Sequence, residues 1–255
     1  ANVCGTLSKR TVPSSATRAT TSPQGHCRRT IVSGEVPEIG FSTFGPIVNI
    51  RIAVTSSRKS VIIDSLSLVL SHEDGSNRTF HWAGMSEDVS QIIDSAGNRQ
   101  RIEKEQTAIA FNVGVESLLE KFVRFQDRSF HERIKPYLDP FFEKIHFDAK
   151  QRIIAAEELI ISREFSEIER AWEREFTWKP GTYYGQFLIG SPSRVSLNES
   201  KFKFSLNDTD IEILKSNLHT NREYNFAIFK CAENGSPQPP FQWNWRYPRI
   251  SKIQS

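Results

Sequence analysis

Cysteine is scarce in this 255-residue chain, and the three present, Cys4, Cys27 and Cys231, are odd in number and far apart. That excludes a disulfide framework of the kind that staples small secreted domains and points to a reducing, cytoplasmic setting. No run of about 18 apolar residues occurs, so no membrane-spanning helix is expected, and the N-terminal segment lacks the apolar core of a signal peptide. P-loop, G-x-G-x-x-G and G-x-S-x-G motifs are missing as well, and no cofactor is expected. Four N-x-[ST] sequons, at Asn77, Asn198, Asn207 and Asn234, are what a chain rich in Asn, Ser and Thr yields by chance.

Acidic residues are missing from residues 1–30, which carry Lys9, Arg10, Arg18, Arg28 and Arg29. The rest of the chain holds 28 basic against 30 acidic side chains, so the net charge of +3 belongs to the N-terminal segment. A nearly neutral fold argues against nucleic acid, which selects a basic folded face. Residues 1–33, rich in Ser, Thr and Arg, bury too little apolar surface to order themselves and read as a disordered leader. The same composition describes an organellar transit peptide, the alternative location.

The remainder, with 38% hydrophobic and 25% charged residues overall, suffices for a core. Residues 34–114 read as a first β-block. Val48, Ile50, Ile52 and Val54 share one strand face, and Ile62, Leu66, Leu68 and Leu70 alternate with Ser65, Ser67 and Ser71. FHWAGM and TAIAFNV are further strands, with a short helical turn at SEDVSQIIDSAGNRQ between them. Residues 115–175 read as a helical hairpin. Val115, Leu118, Leu119, Phe122 and Phe125 follow helical spacing, Pro136 and Pro140 break the chain, and a second helix runs from about Asp148 to Glu175. Its stripe is Ile154, Ile161, Phe165, Ile168 and Trp172, a coiled-coil-like seam, with Glu157, Glu158, Arg163, Glu164, Glu167, Arg170 and Arg174 outside. Residues 176–231 read as a second β-block: a Pro-Gly turn in FTWKPGTYYGQFLIG, a strand KFKFSL, a short helix capped by Asp208 or Thr209 and ending near Asn217, and a last strand NFAIF. Residues 232–255 form a Pro/aromatic-rich tail. The fold class these patterns imply is α+β, an antiparallel immunoglobulin-like β-sandwich with an inserted α-helical hairpin.

The stretch HEDGSNRTFHW, residues 72–82, holds a metal-like ligand set. Strand parity dissolves it. His72 continues the face of Leu66, Leu68 and Leu70, whereas His81 lies opposite Phe80 and Trp82, a face that also takes in Arg78. A three-residue turn Glu73-Asp74-Gly75 pairs Leu68 with Phe80 and leaves the histidines on opposite faces, so no metal site is expected.

Two candidate sites remain. His131 and Glu132, with His146 and Asp148, could serve acid–base hydrolysis at a helical junction, although Asp148 also suits a helix cap. Cys27 beside His26 lies in the leader, and Cys231 has no base nearby. In the tail, Phe241, Trp243, Trp245 and Tyr247 alternate with polar residues and could grip a sugar or a peptide. The expectation is a non-enzymatic protein-interaction or assembly module whose partner is another protein, with the hydrolase-type enzyme and the carbohydrate- or peptide-binding tail as alternatives. The oligomeric state is left open.

Overall fold

The computed structural model describes residues 29–253 apart from 35, 58, 94–98, 108, 150–154, 193–200, 236 and 238–240. The elements are β1 (Arg29–Ser33), β2 (Glu38–Ser42), β3 (Gly45–Ser56), β4 (Val61–Ile63), β5 (Ser65–His72), β6 (Asn77–Ile93), β7 (Arg99–Thr107), β8 (Phe111–Val113) and β9 (Leu118–Gln126). After these come α1 (Arg128–Ala149), α2 (Ala156–Ile160), α3 (Arg163–Glu175), β10 (Gly181–Gly190), β11 (Phe202–Leu206), α4 (Asp208–Asn234) and β12 (Ser251–Lys252). The fold is α+β. Among the described residues, ten strands form one antiparallel sheet that curls into a half-barrel, and β4 and β8 pair separately as a ribbon.

Strand parity sets the sheet where one face is buried. Leu68 pairs with Phe80 as the alternation requires. The turn between them is the three-residue one, closed by His72 N donating to Ser76 O at 2.7 Å, with Gly75 at φ +88. On the far side of β5, Phe187 of β10 pairs with Leu68, so strands from both ends of the chain share one sheet. Their inner faces, with Ile50, Ile52, Val123, Phe125, Phe202 and Phe204, belong to one buried cluster.

Several elements differ from the sequence reading. Residues 118–126 are a strand, not the first helix of a hairpin, and lie between β3 and β6. The spacing misled because both faces carry apolar groups. Leu119, Val123 and Phe125 point inward, while Phe122 on the outer face lies under the Arg51 guanidinium, 6.0 Å from its ring centroid. With β9 inside the sheet, the strands form a continuous curl rather than the two facing sheets of an immunoglobulin-like sandwich. The helical turn expected in SEDVSQIIDSAGNRQ is replaced by the continuation of β6 to Ile93 and the start of β7 at Arg99, with residues 94–98 outside the described ones. Residues 29–33, placed in the leader, pair as β1 with β3, and residues 1–28 lie outside the described ones. The strand from Val61 splits at Asp64. Val61 and Ile63 face inward in β4, and Ile62 turns to solvent.

The helices differ too. α1 runs through Pro136 and Pro140. The prolines sit four apart on an exposed face with Glu132, so the carbonyls they deprive of a donor turn toward water. The expected long second helix is divided at Ser162, whose side chain caps α3 by accepting from Phe165 N at 3.1 Å. Phe165, Ile168 and Trp172 are buried as the seam predicted, whereas Ile161 at the break is 73% exposed. Ile154 lies outside the described residues. The short helix is the start of α4, capped by Asn207 and Asp210 reciprocally rather than by Asp208 or Thr209, and it continues through NFAIF to a left-handed Gly235. Asn217 does not end it. Its side chain donates from Nδ2 to Asn244 O and accepts from Asn244 N at Oδ1, both at 2.8 Å, clamping the tail. Pro180-Gly181 turns the chain from α3 into β10, and Trp178 before it is buried, donating from Nε1 to Gly40 O at 2.9 Å.

The tail joins the two ends of the curl. Arg246 pairs its backbone with Ile39 of β2, and β12, five residues on, pairs with β11. Edge strands left open are templates for foreign pairing, and this segment covers two of them.

Candidate functional site

The residues singled out from sequence fall into three places. His72 and His81 lie on opposite faces as parity demands. His72 Nε2 lies 3.1 Å from Pro180 O, and His81 Nδ1 lies 3.0 Å from Ser67 Oγ on the neighbouring strand. Among the described residues no three His, Cys, Asp or Glu side chains gather where a metal ion could bridge them.

His131 and Glu132 are exposed on the first turn of α1, and the His131 ring packs against Phe44 with centroids 6.0 Å apart. His146 and Asp148 belong to the last turns of the same helix, with their side chains outside the described ones. Fifteen residues of helix separate the two histidines, roughly 22 Å at about 1.5 Å per residue. The fold therefore does not bring the four residues into one hydrolytic site. Asp148 lies within the last turn of α1 and not ahead of a second helix, where the sequence reading had placed it.

The tail aromatics are divided among several contacts. Phe241 and Trp243 pack on Tyr224 of α4, with centroids 5.3 and 5.6 Å away. The Trp245 ring occupies the space beside Gly40 where any Cβ would stand. Tyr247 remains 56% exposed. Opposite them, Arg246 donates from Nε to Asp210 Oδ1 at 2.6 Å. Cys231 is half-buried, its thiol 3.4 Å from Pro237 O.

Two features have no counterpart in those candidates. The first is a charge cluster where β6, β9, α1 and α3 meet. Asp127 is buried, accepting at Oδ1 from Ser129 N (3.0 Å) and Ser129 Oγ (2.7 Å), and at Oδ2 from Arg133 Nη2 (2.8 Å). Arg133 also forks onto Glu175, Nε to Oε1 at 2.9 Å and Nη2 to Oε2 at 2.7 Å. Arg78 stands beside them in the core register that parity gave it, opposite Leu70. Burial pushes the Asp127 carboxyl up, but the bonds from Arg133 and Ser129 and the two guanidinium charges outweigh it and hold it below the usual carboxylate range. Burial lowers the Arg78 pKa against the opposing pull of Asp127, and the guanidinium stays charged. The parity of RTFHW was the one sequence signal for this cluster. Positions 127, 133 and 175 reach it only through the tertiary fold.

The second feature is a group of exposed apolar residues in and around the β4–β8 ribbon, termed the apolar rim below. Ile62, Ile109, Val115 and Leu118 are each half or more exposed, with Ile109 at 76%. All four come from the ribbon, the residues flanking β8, or the start of β9. Exposed large apolar residues scattered singly are ordinary, but four within and close to one short ribbon in sequence are less so.

Comparison with protein-family models, with curated proteins and with solved structures finds no match to this chain. No helix among the described residues is long and apolar enough to cross a membrane.

Proposed function

We propose that the protein is a non-enzymatic interaction or assembly module that binds another protein through the apolar rim of the β4–β8 ribbon. The observation carrying this reading is the parity reversal at Asp64. It turns Ile62 outward while Val61 and Ile63 fill the core, so the ribbon spends one of its few side chains on the surface. Ile109, Val115 and Leu118 extend that apolar surface, and covering it with an apolar patch on a partner would remove four large side chains from water. Binding through the tail is the weaker reading, because Phe241, Trp243 and Trp245 already pack on this chain's own α4 and β2.

The test is a photo-crosslinking amino acid placed singly at 109, at 118 and, as a control on the outer face of β10, at 188, in cells that make the protein. Adducts of one defined mass at 109 and 118 but not at 188 are expected. An adduct pattern equal at all three positions, or none at 109 and 118, contradicts the proposal. An adduct of twice the chain mass identifies a second copy as the partner.

A further inference from the structure

The Arg78 side chain is three-quarters buried, yet its Nη1, shut off from solvent, makes no hydrogen bond to any described residue. Its nearest acid, Asp127 Oδ2, lies 3.4 Å from Nη1 without hydrogen-bonding geometry and is already taken by Arg133. Glu175 is engaged by the Arg133 fork. A desolvated guanidinium without acceptors is costly, because each buried donor has given up water for nothing.

The cavity beside it gives that fork something to do. A space of about 150 Å³ opens between β5, β6 and the Thr177–Tyr183 corner, with Leu70, Phe80, Trp178 and Tyr183 as apolar walls and Arg78 among its polar lining residues. Its other ionisable groups have partners. His72 faces Pro180 O, Lys179 pairs with Asp74 at 2.8 Å, and the Tyr183 hydroxyl accepts from Lys179 N and donates to Lys179 O. Arg78 is thus the one lining cation whose charge no hydrogen-bonded acid of the described residues meets. Phe80 and Trp178, both in its lining, lie nearly parallel with 6.0 Å between centroids.

We propose that this cavity is a binding site for a small monocarboxylate with a flat or short apolar body, its carboxylate on the Arg78 fork and its body against Phe80 and Trp178. Guanidinium and carboxylate match in bidentate geometry, and the walls suit an aromatic or short aliphatic tail. The site is independent of the apolar rim and would stand if that reading failed.

Benzoate titrated into the full chain tests it, followed by the Arg78 guanidinium and Trp178 indole resonances in one NMR experiment. Both signals are expected to shift saturably, with dissociation constants on the order of 0.1–1 mM for so small a ligand. Benzyl alcohol, the same body without the charge, is expected to bind at least about tenfold more weakly, and R78M to lose benzoate by a similar factor. Benzoate that leaves the Arg78 resonance unmoved at tens of times those concentrations overturns the proposal. Equal binding of benzyl alcohol does so too, since the cavity would then be an apolar pocket only. Displacement of benzoate by inorganic phosphate at lower concentration also counts against it, by moving the anion's seat to the wider polar cavity of about 510 Å³ on the other side of Arg78. The comparison of the two ligands on the unaltered chain stands even if R78M fails to fold.

Discussion

Replacing Asp127 by asparagine is expected to lower the stability of the fold by about 3 kcal/mol, read as a fall of roughly 10 °C in Tm. Two losses add. The carboxylate is the only acid within ion-pair distance of Arg78 among the described residues, so D127N leaves that guanidinium buried with no counter-charge. It also sets an amide donor, in place of the acceptor Oδ2, against Arg133 Nη2, while Oδ1 can keep the bonds from Ser129. Arg133 suffers less, since Glu175 keeps hold of it. The double substitution R78M/D127N is expected to be less destabilised than the sum of the two singles, because the stranded charge is gone. An additive result contradicts the coupling.

The same carboxylate sets an acid limit. Its folded pKa lies below its ordinary value of about 3.9, so its contribution is complete above that pH and is lost as pH falls through the lowered folded value. Denaturation midpoints measured from pH 6 down to pH 2 are therefore expected to fall more steeply in the native chain than in D127N.

Removal of residues 241–255 is expected to cost at least about 4 kcal/mol, the second large effect. The half-buried Trp245 side chain over Gly40 contributes about 2 kcal/mol of that, and the two-point Asn217–Asn244 clamp about 1 kcal/mol per bond. The Arg246–Asp210 pair and the backbone pairing with Ile39 go as well. Total stabilities of domains run to about 5–15 kcal/mol, so the shortened chain would keep only part of its margin. It would also bare the edges of β2 and β11, and self-association is expected by light scattering. G40A reaches the same contact from the other side, because an added Cβ overlaps the Trp245 ring and must displace it. If the shortened chain melts within 2 °C of the full one, the segment is a passenger and not a closure.

The legible parts of the fold are those where one period alone fits. From Leu66 to Trp82 the alternation admits a single parity, and it delivered the turn, the Leu68–Phe80 pair and the separation of the histidines. The Phe165, Ile168, Trp172 stripe likewise delivered the buried face of α3. Legibility failed where apolar residues serve two faces. LLEKFVRFQ satisfies helical spacing and also the two sides of a strand whose outer face is partly covered. NFAIF looks like a core strand because Phe226 and Phe229 are apolar, yet Phe229 packs against Phe141 and Phe165 from a helix. The prolines of α1 suggest a break by their usual effect, and the helix runs through them where Glu132, Pro136 and Pro140 lie on an exposed face. The Arg78 cluster draws on four distant positions, and no local pattern announces such a meeting.

Ile62, Ile109, Val115 and Leu118 form the proposed binding surface. Once crosslinking has identified the partner, isothermal titration of that partner into the native chain and into I109D/L118D tests the claim most directly. Both side chains are exposed, so the double substitution is expected to leave the melting temperature within a few degrees while weakening binding by about 100-fold or more. Affinity unchanged within a factor of two, in a chain that is folded, would contradict the account.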